Sequence, residues 1–222
     1  MLLGEICRPN AQMRQLDLAC GKGEMLCRWA QTYGHSGIGV DLSSVFLAAA
    51  HERAAELGVS DRVTFIQQDA GAYQAEAGAF DIVSCIGATW IGGGLVGTLK
   101  LMRPALKEGG LLLVGEPYWI EQPPLEAYSA MGVSQEDFTS LTGTLDRIES
   151  VDLELVEMVL ANQDSWDRYE ASQWRTIDAW LRENPDDPDH AAMRDFMVKG
   201  RRTYLTYGRQ YFGWGVFVLR PR

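Results

Sequence analysis

Cysteine is scarce in this chain of 222 residues, and its four cysteines are widely spaced. Cys7, Cys20, Cys27 and Cys85 form no Cys-x-x-Cys pair, so the sequence contains neither a zinc-site pattern nor a disulfide framework. We therefore expect no bound metal, and we interpret the thiols as small buried side chains in a reducing cytosol.

Histidine is equally scarce, and its three positions are poor ones for catalysis. His35 lies in a turn before a strand pattern, His51 lies within a helical pattern, and His190 follows a proline-rich break. None of them follows the carboxyl end of a predicted strand. The sequence therefore disfavours a histidine general base and predicts surface positions for all three.

Basic residues are also in the minority, with 20 Lys and Arg against 30 Asp and Glu and a net charge of −10. A protein that binds nucleic-acid phosphates is expected to show a basic stripe, but Lys199-Gly200-Arg201-Arg202 is the only basic cluster. We interpret that cluster as a helix surface, so nucleic acid is not an expected partner. No apolar run reaches membrane-spanning length and no secretory signal is visible, which predicts a cytoplasmic protein without membrane contact. The sequence does not indicate an oligomeric state.

Strand and helix patterns alternate along the first half of the chain, which predicts a parallel sheet with right-handed crossovers in a single domain over residues 1–222. Strands are predicted over 14–19, 36–40, 62–67, 80–85, 110–115, 153–160 and 212–219, and helices over 23–34, 43–57, 94–106, 124–131, 134–140, 141–149, 165–183 and 188–208. The first strand begins near Arg14, which leaves little room for a preceding helix. We expect that a covering segment normally precedes Met1 and that the site is less covered without it.

The most informative motif is the run Leu16-Asp17-Leu18-Ala19-Cys20-Gly21-Lys22-Gly23-Glu24, in which a strand pattern meets an acid and a glycine loop. Asp41 follows about 20 residues beyond, at the end of a second strand pattern. The glycines allow a sharp turn and close approach of a ligand, and a carboxylate at that spacing accepts hydrogen bonds from ribose hydroxyls. This arrangement is typical of α/β proteins that hold a nucleoside cofactor.

A dinucleotide is disfavoured as that cofactor. Leu26 stands where the dinucleotide motif has its third glycine, and Glu24 places a carboxylate at the helix start where a pyrophosphate would lie. A nicotinamide-dependent oxidoreductase remains an alternative, and the loop does not exclude a cofactor with a positive centre.

Five ordered segments over about residues 10–116 resemble the class I methyltransferases that depend on S-adenosylmethionine (SAM). They are the glycine-loop run itself, Gly39-Val40-Asp41-Leu42-Ser43, Val63-Thr64-Phe65-Ile66-Gln67-Gln68-Asp69-Ala70, Phe80-Asp81-Ile82-Val83-Ser84-Cys85, and Leu106-Lys107-Glu108-Gly109-Gly110-Leu111-Leu112-Leu113-Val114. The resemblance implies a three-layer α/β fold with seven strands in the order 3-2-1-4-5-7-6, strand 7 antiparallel. It also implies a SAM-binding half over 1–116 and an acceptor-side half over 117–222, with helical insertions near 118–149 and 164–208.

The same resemblance assigns cofactor-binding roles to residues at the strand ends, with S-adenosylhomocysteine (SAH) as the product. Asp17 is expected to orient the glycine loop and bind the cofactor's amino group, although a carboxylate there also caps nearby N–H groups. Leu42 is expected on the adenine face, with Asp69 at the adenine amino group. The full expected set is Asp17, Ala19, Cys20, Gly21, Gly23, Asp41, Leu42, Asp69, Ala70, Cys85 and Ile86. Ala19 departs from the family's usual glycine, and a positive φ there would be strained.

Residues after strands four and five are expected to face a small-molecule acceptor with an O, N or S nucleophile. Glu116 is the candidate general base, and its structural alternative is a carboxylate paired with a nearby Arg or Tyr. Tyr118 is a second catalytic candidate. Trp90, Trp119, Tyr204 and Trp214 are expected to surround the acceptor, although aromatic residues also pack helices onto sheets. A SAM- or SAH-binding protein without catalysis is the alternative from a different functional class.

Overall fold

Residues 2–222 are described by the computed structural model, and their seven strands form one sheet in the order β3-β2-β1-β4-β5-β7-β6. The strands are β1 (Arg14–Leu18), β2 (Ser36–Asp41), β3 (Val63–Gln67), β4 (Phe80–Ile86), β5 (Leu106–Trp119), β6 (Leu153–Leu160) and β7 (Phe212–Pro221). Strand β7 is antiparallel and helices cover both faces, which confirms the predicted fold class and strand order.

Helices connect most of these strands. They are α1 (Leu2–Cys7), α2 (Glu24–Tyr33), α3 (Ser44–Glu56), α4 (Leu95–Met102), α5 (Leu125–Met131), α6 (Leu141–Glu149), α7 (Gln163–Glu183), α8 (His190–Thr203) and α9 (Arg209–Tyr211). The long pair α7 and α8 forms the helical insertion between β6 and β7, as predicted. No helix within residues 2–222 is long and apolar enough to cross a membrane.

Two compact units share the chain. The first contains the residues up to Glu116 together with Leu145–Val159 and Val216–Arg222. The second contains Pro117–Thr144 and Leu160–Gly215. The two units do not test the predicted single domain, which stays a prediction.

The core of the first unit lies against the central strands β1 and β4, which are buried on both faces. One apolar cluster joins Cys7, Trp29, Ile82, Leu113, Val216 and Val218, and a second joins Leu26, Cys27, Ala30, Ala54, Val59 and Val63. Continuous burial of this kind explains why the strands appear in the sequence as short apolar runs rather than as alternating patterns.

The expectation of no helix before β1 was wrong. Helix α1 spans Leu2–Cys7, and its Cys7 end lies in the apolar cluster with Trp29. Gly4 makes this packing possible, because a Cβ there would lie 2.5 Å from the Tyr33 hydroxyl. A helix this short is stabilised by tertiary packing rather than by local propensity, so no strong sequence signal marks it. The expectation about Met1 lies outside the described residues.

The predicted helix over 134–140 is absent, because Asp137 accepts a hydrogen bond from the Ser134 backbone N–H at 2.8 Å and closes a turn instead. Strand β5 is also longer than predicted. It begins at Leu106 rather than at the predicted residue 110, and it continues through Gly109 and Gly110 to Trp119. The ladder with β4 shifts register there, and Gly109 takes φ 77°, so the glycine pair forms a bulge within the strand.

Helix α8 ends earlier than its sequence pattern indicated. The chain continues as a π-helical turn over Tyr204–Gly208 before α9. Gly208 packs closely on Tyr204 within this turn, since a Cβ at Gly208 would lie 2.9 Å from the Tyr204 ring.

The surface position predicted for His35 was also wrong. His35 is fully buried, where its Nε2 lies 3.0 Å from Gln15 Oε1 and its ring contacts Trp29 edge-on. Burial lowers the pKa of His35, which favours the neutral ring.

Candidate functional site

A cleft of about 560 Å³ opens at the carboxyl ends of β1 to β4, within the first unit. Parallel strands all end at this edge, so their following loops converge on one space. The lining residues are Ala19, Gly21, Asp41, Leu42, Phe46, Asp69, Ala70, Ile86, Gly87, Ala88, Trp90 and Ile91. The volume lies in the range typical of sites for small molecules and cofactors.

The loop after β1 turns through the left-handed region three times, at Ala19 (φ 54°), Gly21 (φ 55°) and Gly23 (φ 65°). The positive φ suspected for Ala19 is therefore present, and it strains a residue with a Cβ by about 1–2 kcal/mol. Gly23 is required for space as well, because a Cβ there would lie 2.8 Å from the Phe65 ring. The Cys20 N–H donates to the Val40 carbonyl at 3.1 Å, which fixes the loop beside β2.

Asp41, the last residue of β2, holds two chain segments at once. Its Oδ2 accepts from the Gly21 N–H at 2.8 Å, and its Oδ1 accepts from the Ser43 N–H at 2.9 Å. Each carboxylate oxygen has further acceptor capacity. Asp41 therefore orders the glycine loop and the start of α3 while its free acceptor positions face the cleft.

The start of α2 differs from the sequence argument in one respect. The Glu24 carboxylate forms ion pairs with Arg28 and with Arg53, whose Nε lies 2.6 Å from Glu24 Oε2. These guanidinium groups lower the pKa of Glu24, so the carboxylate stays ionised, and their positive charges offset its negative charge. Glu24 therefore argues less strongly against a bound pyrophosphate than the sequence suggested. Leu26, by contrast, is fully buried. A Cβ on Gly37 would lie 2.5 Å from Leu26 Cδ1, so β2 supplies the glycine that lets the helix approach the sheet.

Asp17 lies behind the cleft lining rather than in it, with 4% of its surface exposed. Its Oδ1 accepts from the Ser84 hydroxyl at 2.6 Å. Burial raises the pKa of Asp17 to about 7, Ser84 acts in the opposite sense, and the nearby Asp41 charge raises it further. Within residues 2–222 the structure gives Asp17 no cationic partner. A buried carboxylate in this state is stabilised by an incoming positive group.

The loops after β3 and β4 complete the cleft. Asp69 Oδ1 accepts from the Gly71 N–H at 2.9 Å, which forms a turn that leaves Ala70 buried at the cleft wall. Ile86 ends β4 and lines the cleft, whereas the Cys85 side chain is fully buried, with its pKa raised by burial to about 12. The Cys85 thiol is therefore protonated and unreactive.

Apolar side chains stand exposed around the cleft. Leu42 is 68% exposed, Phe46 is 44% exposed and Trp90 is 74% exposed. Monomeric proteins seldom leave several large apolar groups uncovered around one opening, so these side chains favour a ligand with flat or apolar parts. Phe46 was missed by the sequence analysis. It lies in the first turn of α3, whereas Leu42 precedes the helix, so helical spacing gave no signal that links the two residues.

Glu116 is 2% exposed and belongs to a buried hydrogen-bond network with the short helical turn Thr89–Gly92, which carries Trp90. Its Oε2 accepts from the Thr89 hydroxyl at 2.6 Å, and the Thr98 hydroxyl donates to the Thr89 carbonyl at 2.6 Å. Burial raises the pKa of Glu116 to about 7, while Thr89 and the Arg147 charge act to lower it. A carboxyl with this pKa exchanges a proton near neutral pH. Thr89 and Thr98 were not singled out from the sequence, since isolated threonines carry no motif.

In the second unit, Tyr118 and Trp119 are buried. The Tyr118 ring lies on the backbone of Gly213, where a Cβ would be 2.3 Å from Tyr118 Cζ, and burial raises its pKa. Trp119 contacts the rings of Tyr128, Phe138 and Phe212. Its buried indole Nε1 has no hydrogen-bond partner among the residues described.

Tyr204 and Trp214 also lie in the second unit. The Tyr204 hydroxyl donates to Asp167 Oδ1 at 2.6 Å, and Arg209 pairs with the same carboxylate at 3.1 Å. The Trp214 ring stacks on Trp166 with an interplanar angle of 5° and a centroid separation of 5.9 Å. These contacts define how the four aromatic residues pack in their own unit. The catalytic role of Tyr118 and the acceptor roles of Trp119, Tyr204 and Trp214 stay predictions.

Comparison with known proteins adds independent evidence on this site. The sequence profile of the methyltransferase domain family matches residues 16–110. The chain is 45% identical to a SAM-dependent methyltransferase from Geobacter sulfurreducens solved with SAH, with a TM-score of 0.93 over 100% of this chain and 89% of that one. A second such enzyme with SAH, from Thiobacillus denitrificans, is 42% identical, with a TM-score of 0.93 over 100% and 90% of the two chains.

Among curated proteins, YjhP from Escherichia coli strain K12 is 47% identical over 222 residues, covering 99% of this chain and 89% of YjhP. The parallel sheet, the glycine loop and the acid at the end of β2 define a nucleoside-binding α/β protein. With these relatives, the chain belongs to the SAM-dependent methyltransferases, as the sequence resemblance implied.

Proposed function

We propose that the chain transfers a methyl group from SAM to an O, N or S atom of a small-molecule acceptor and releases SAH. The observation that carries this proposal is the cleft itself, in which Asp41 joins the glycine loop to α3 and keeps acceptor positions free. Family membership supplies the cofactor class, and the chain's own residues fit that cofactor group by group.

The fit begins with the nucleoside. The free acceptor positions of Asp41 suit the two ribose hydroxyls, which are donors. The exposed Leu42 and Phe46 side chains offer apolar surface for adenine, and Asp69 with the Ala70 N–H is proposed to bind the ring edge. Asp17, a buried carboxylate without a cation, suits the amino group of the methionine part.

The sulfonium of bound SAM supplies an activated methyl group, whose C–S bond electrons remain on sulfur as the acceptor's lone pair forms the new bond. The protein then has to align the acceptor, exclude water and receive a proton. The exposed Trp90 ring offers a flat face for the acceptor. Glu116, held by Thr89, is proposed to take the proton that an O–H, N–H or S–H acceptor loses.

Net charge argues for the small-molecule part of this proposal. At −10 the chain repels polyanions, and electrostatic attraction supplies most non-specific affinity for nucleic acid. The alternative of SAM binding without catalysis makes the same cleft contacts, but it predicts no turnover.

Methyl-labelled SAM and a fractionated bacterial metabolite extract provide the test. We expect label to move into a low-molecular-weight product, with SAH formed in equal amount. Asp41→Ala should reduce this signal, while a substitution at the exposed Asp61 should not. Binding of SAH without label transfer in any fraction would favour the non-catalytic alternative, and transfer mainly into bulk RNA or DNA would refute the small-molecule acceptor.

A further inference from the structure

A row of buried polar side chains runs through the centre of the sheet to Asp17. Gln15, His35 and Ser84 are all fully buried. His35 Nε2 lies 3.0 Å from Gln15 Oε1, Gln15 Nε2 lies 2.9 Å from Ser84 Oγ, and Ser84 Oγ lies 2.6 Å from Asp17 Oδ1. Buried polar groups inside an apolar sheet are costly unless each is hydrogen-bonded, so a connected row of this kind calls for an explanation.

The direction of every hydrogen bond in the row follows from Asp17. An ionised carboxylate only accepts, so the Ser84 hydroxyl donates to it. Ser84 Oγ is then free to accept from the Gln15 amide N–H. That orientation turns Gln15 Oε1 towards His35, whose Nε2–H donates. All three donors therefore point towards Asp17, and the row is self-consistent when Asp17 carries a negative charge.

Protonation of Asp17 would weaken this arrangement. A proton on Oδ1 would donate to Ser84 and turn the Ser84 hydroxyl to another acceptor, such as the Leu16 carbonyl at 3.3 Å, and a proton on Oδ2 would remove the charge that strengthens the bond. The 2.6 Å contact to Asp17 is much shorter than that alternative, and short O–H···O⁻ bonds are the charge-assisted ones. The observed geometry is thus the one that favours the anion.

We infer that Ser84 is a positioning residue for cofactor binding: its hydroxyl, supported by Gln15 and His35, holds Asp17 as an oriented, ionised carboxylate for a cationic group of the cofactor. The inference rests on the proposed role of Asp17 at the amino group of SAM. It adds a residue of β4 that is not among the residues lining the cleft.

None of the other titratable groups around Asp17 favours its ionisation. Asp41 of β2 is a like charge, and the thiols of Cys20 in the loop and Cys85 on β4 are neutral, because burial raises the pKa of each. Glu116 on β5 is a further carboxyl acting on Cys85. Ser84 is therefore the one neighbour that lowers the pKa of Asp17 among the groups acting on it within residues 2–222.

Calorimetric titration with SAH between pH 5.5 and 8.5 tests this inference. In the wild-type protein, affinity should rise with pH as Asp17 ionises, with a midpoint near 7. Ser84→Ala should move the midpoint upward by roughly one pH unit. One pKa unit is a tenfold change in the ionised fraction well below the midpoint, so binding should weaken by about fivefold at pH 7 and by nearly tenfold at pH 5.5. Gln15→Met should shift the midpoint in the same direction by less, because Ser84 remains.

Controls separate this inference from a general loss of structure and from the proposed function. Ser84→Cys conserves volume with a weaker donor, so it should show an intermediate midpoint even if Ser84→Ala fails to fold. Ser36→Ala, at the start of β2, should leave the midpoint unchanged. An unshifted midpoint in the Ser84 variants, or wild-type affinity that is flat across this range, would overturn the inference while leaving SAH binding intact. Absence of wild-type SAH binding at every pH would overturn the proposed function as well.

Discussion

Replacement of Asp41 by alanine is the perturbation whose effect the structure defines best. The change removes the acceptors for the Gly21 and Ser43 N–H groups, at 2.8 and 2.9 Å, together with the acceptor positions proposed for ribose. Both hydrogen bonds are only partly buried, so we expect water to replace the carboxylate in the variant. The loop therefore loses order, but the buried core of the first unit keeps its packing.

The magnitude follows from the type of bond lost. A hydrogen bond to a charged group contributes about 1.5–3 kcal/mol, so losing the ribose interaction should weaken SAH binding by roughly 10- to 150-fold. Asp41→Asn keeps one carbonyl oxygen and introduces an N–H group opposite a backbone donor. Its affinity should therefore fall between those of the wild type and Asp41→Ala.

Calorimetry with SAH and with its 2′-deoxy analogue separates ribose binding from loop order. The analogue should bind the wild-type protein more weakly than SAH does, while Asp41→Ala should bind the two ligands about equally. Asp61→Ala serves as the matched exposed control, and thermal unfolding reports whether each variant is folded. Unchanged SAH affinity in folded Asp41→Ala would remove Asp41 from the site, and an undiminished preference for SAH over the analogue would refute the ribose contact.

Four further predictions concern Glu116, Ala19 and the net charge. Glu116→Gln should lower kcat/KM by roughly ten- to a thousandfold with little change in SAH affinity. In the wild-type protein kcat/KM should rise as pH passes through about 7, and the Gln variant should lack this rise. An unaltered turnover would leave Glu116 a purely structural residue. Because its folded pKa is raised, Glu116 contributes stability that is fully present below about 4.5 and is lost as pH rises through about 7, so the Gln variant should show a smaller decline in unfolding free energy over that window. Ala19→Gly should relieve the strain at φ 54° and stabilise the fold by up to ~1 kcal/mol, whereas Ala54→Gly in α3 should destabilise the fold. Denaturant unfolding measures both changes in stability, and a destabilised Ala19→Gly would contradict the strain argument. Filter binding at physiological salt should detect no tight association with bulk RNA or DNA, and submicromolar affinity would contradict the electrostatic argument.

The residues proposed to bind the cofactor were accessible from sequence because their signals are local. Asp17 and Asp41 each end an apolar strand run, and a parallel sheet brings such ends to one edge whatever the helices do. The glycine loop specifies its own backbone, since Gly21 and Gly23 adopt the positive φ that the motif suggested. No long-range information was needed to place these residues together.

The features that escaped sequence analysis depend on contacts between distant segments. His35 appears as a turn residue in the sequence, and its burial follows from Gln15 and Trp29, which lie elsewhere in the chain. Helix α1 is too short to carry a periodic signal, and the bulge at Gly109 is indistinguishable locally from a turn. The connection from Ser84 to Asp17 joins residues 67 positions apart, and nothing in either segment indicates it.

The central claim is that this cleft binds the SAM product rather than a dinucleotide. Parallel calorimetric titrations of the wild-type protein with SAH and with NAD at neutral pH test it most directly. The account predicts saturable binding of SAH at one site per chain, weakened by Asp41→Ala, and no measurable heat from NAD. Tight binding of NAD with none of SAH would contradict it.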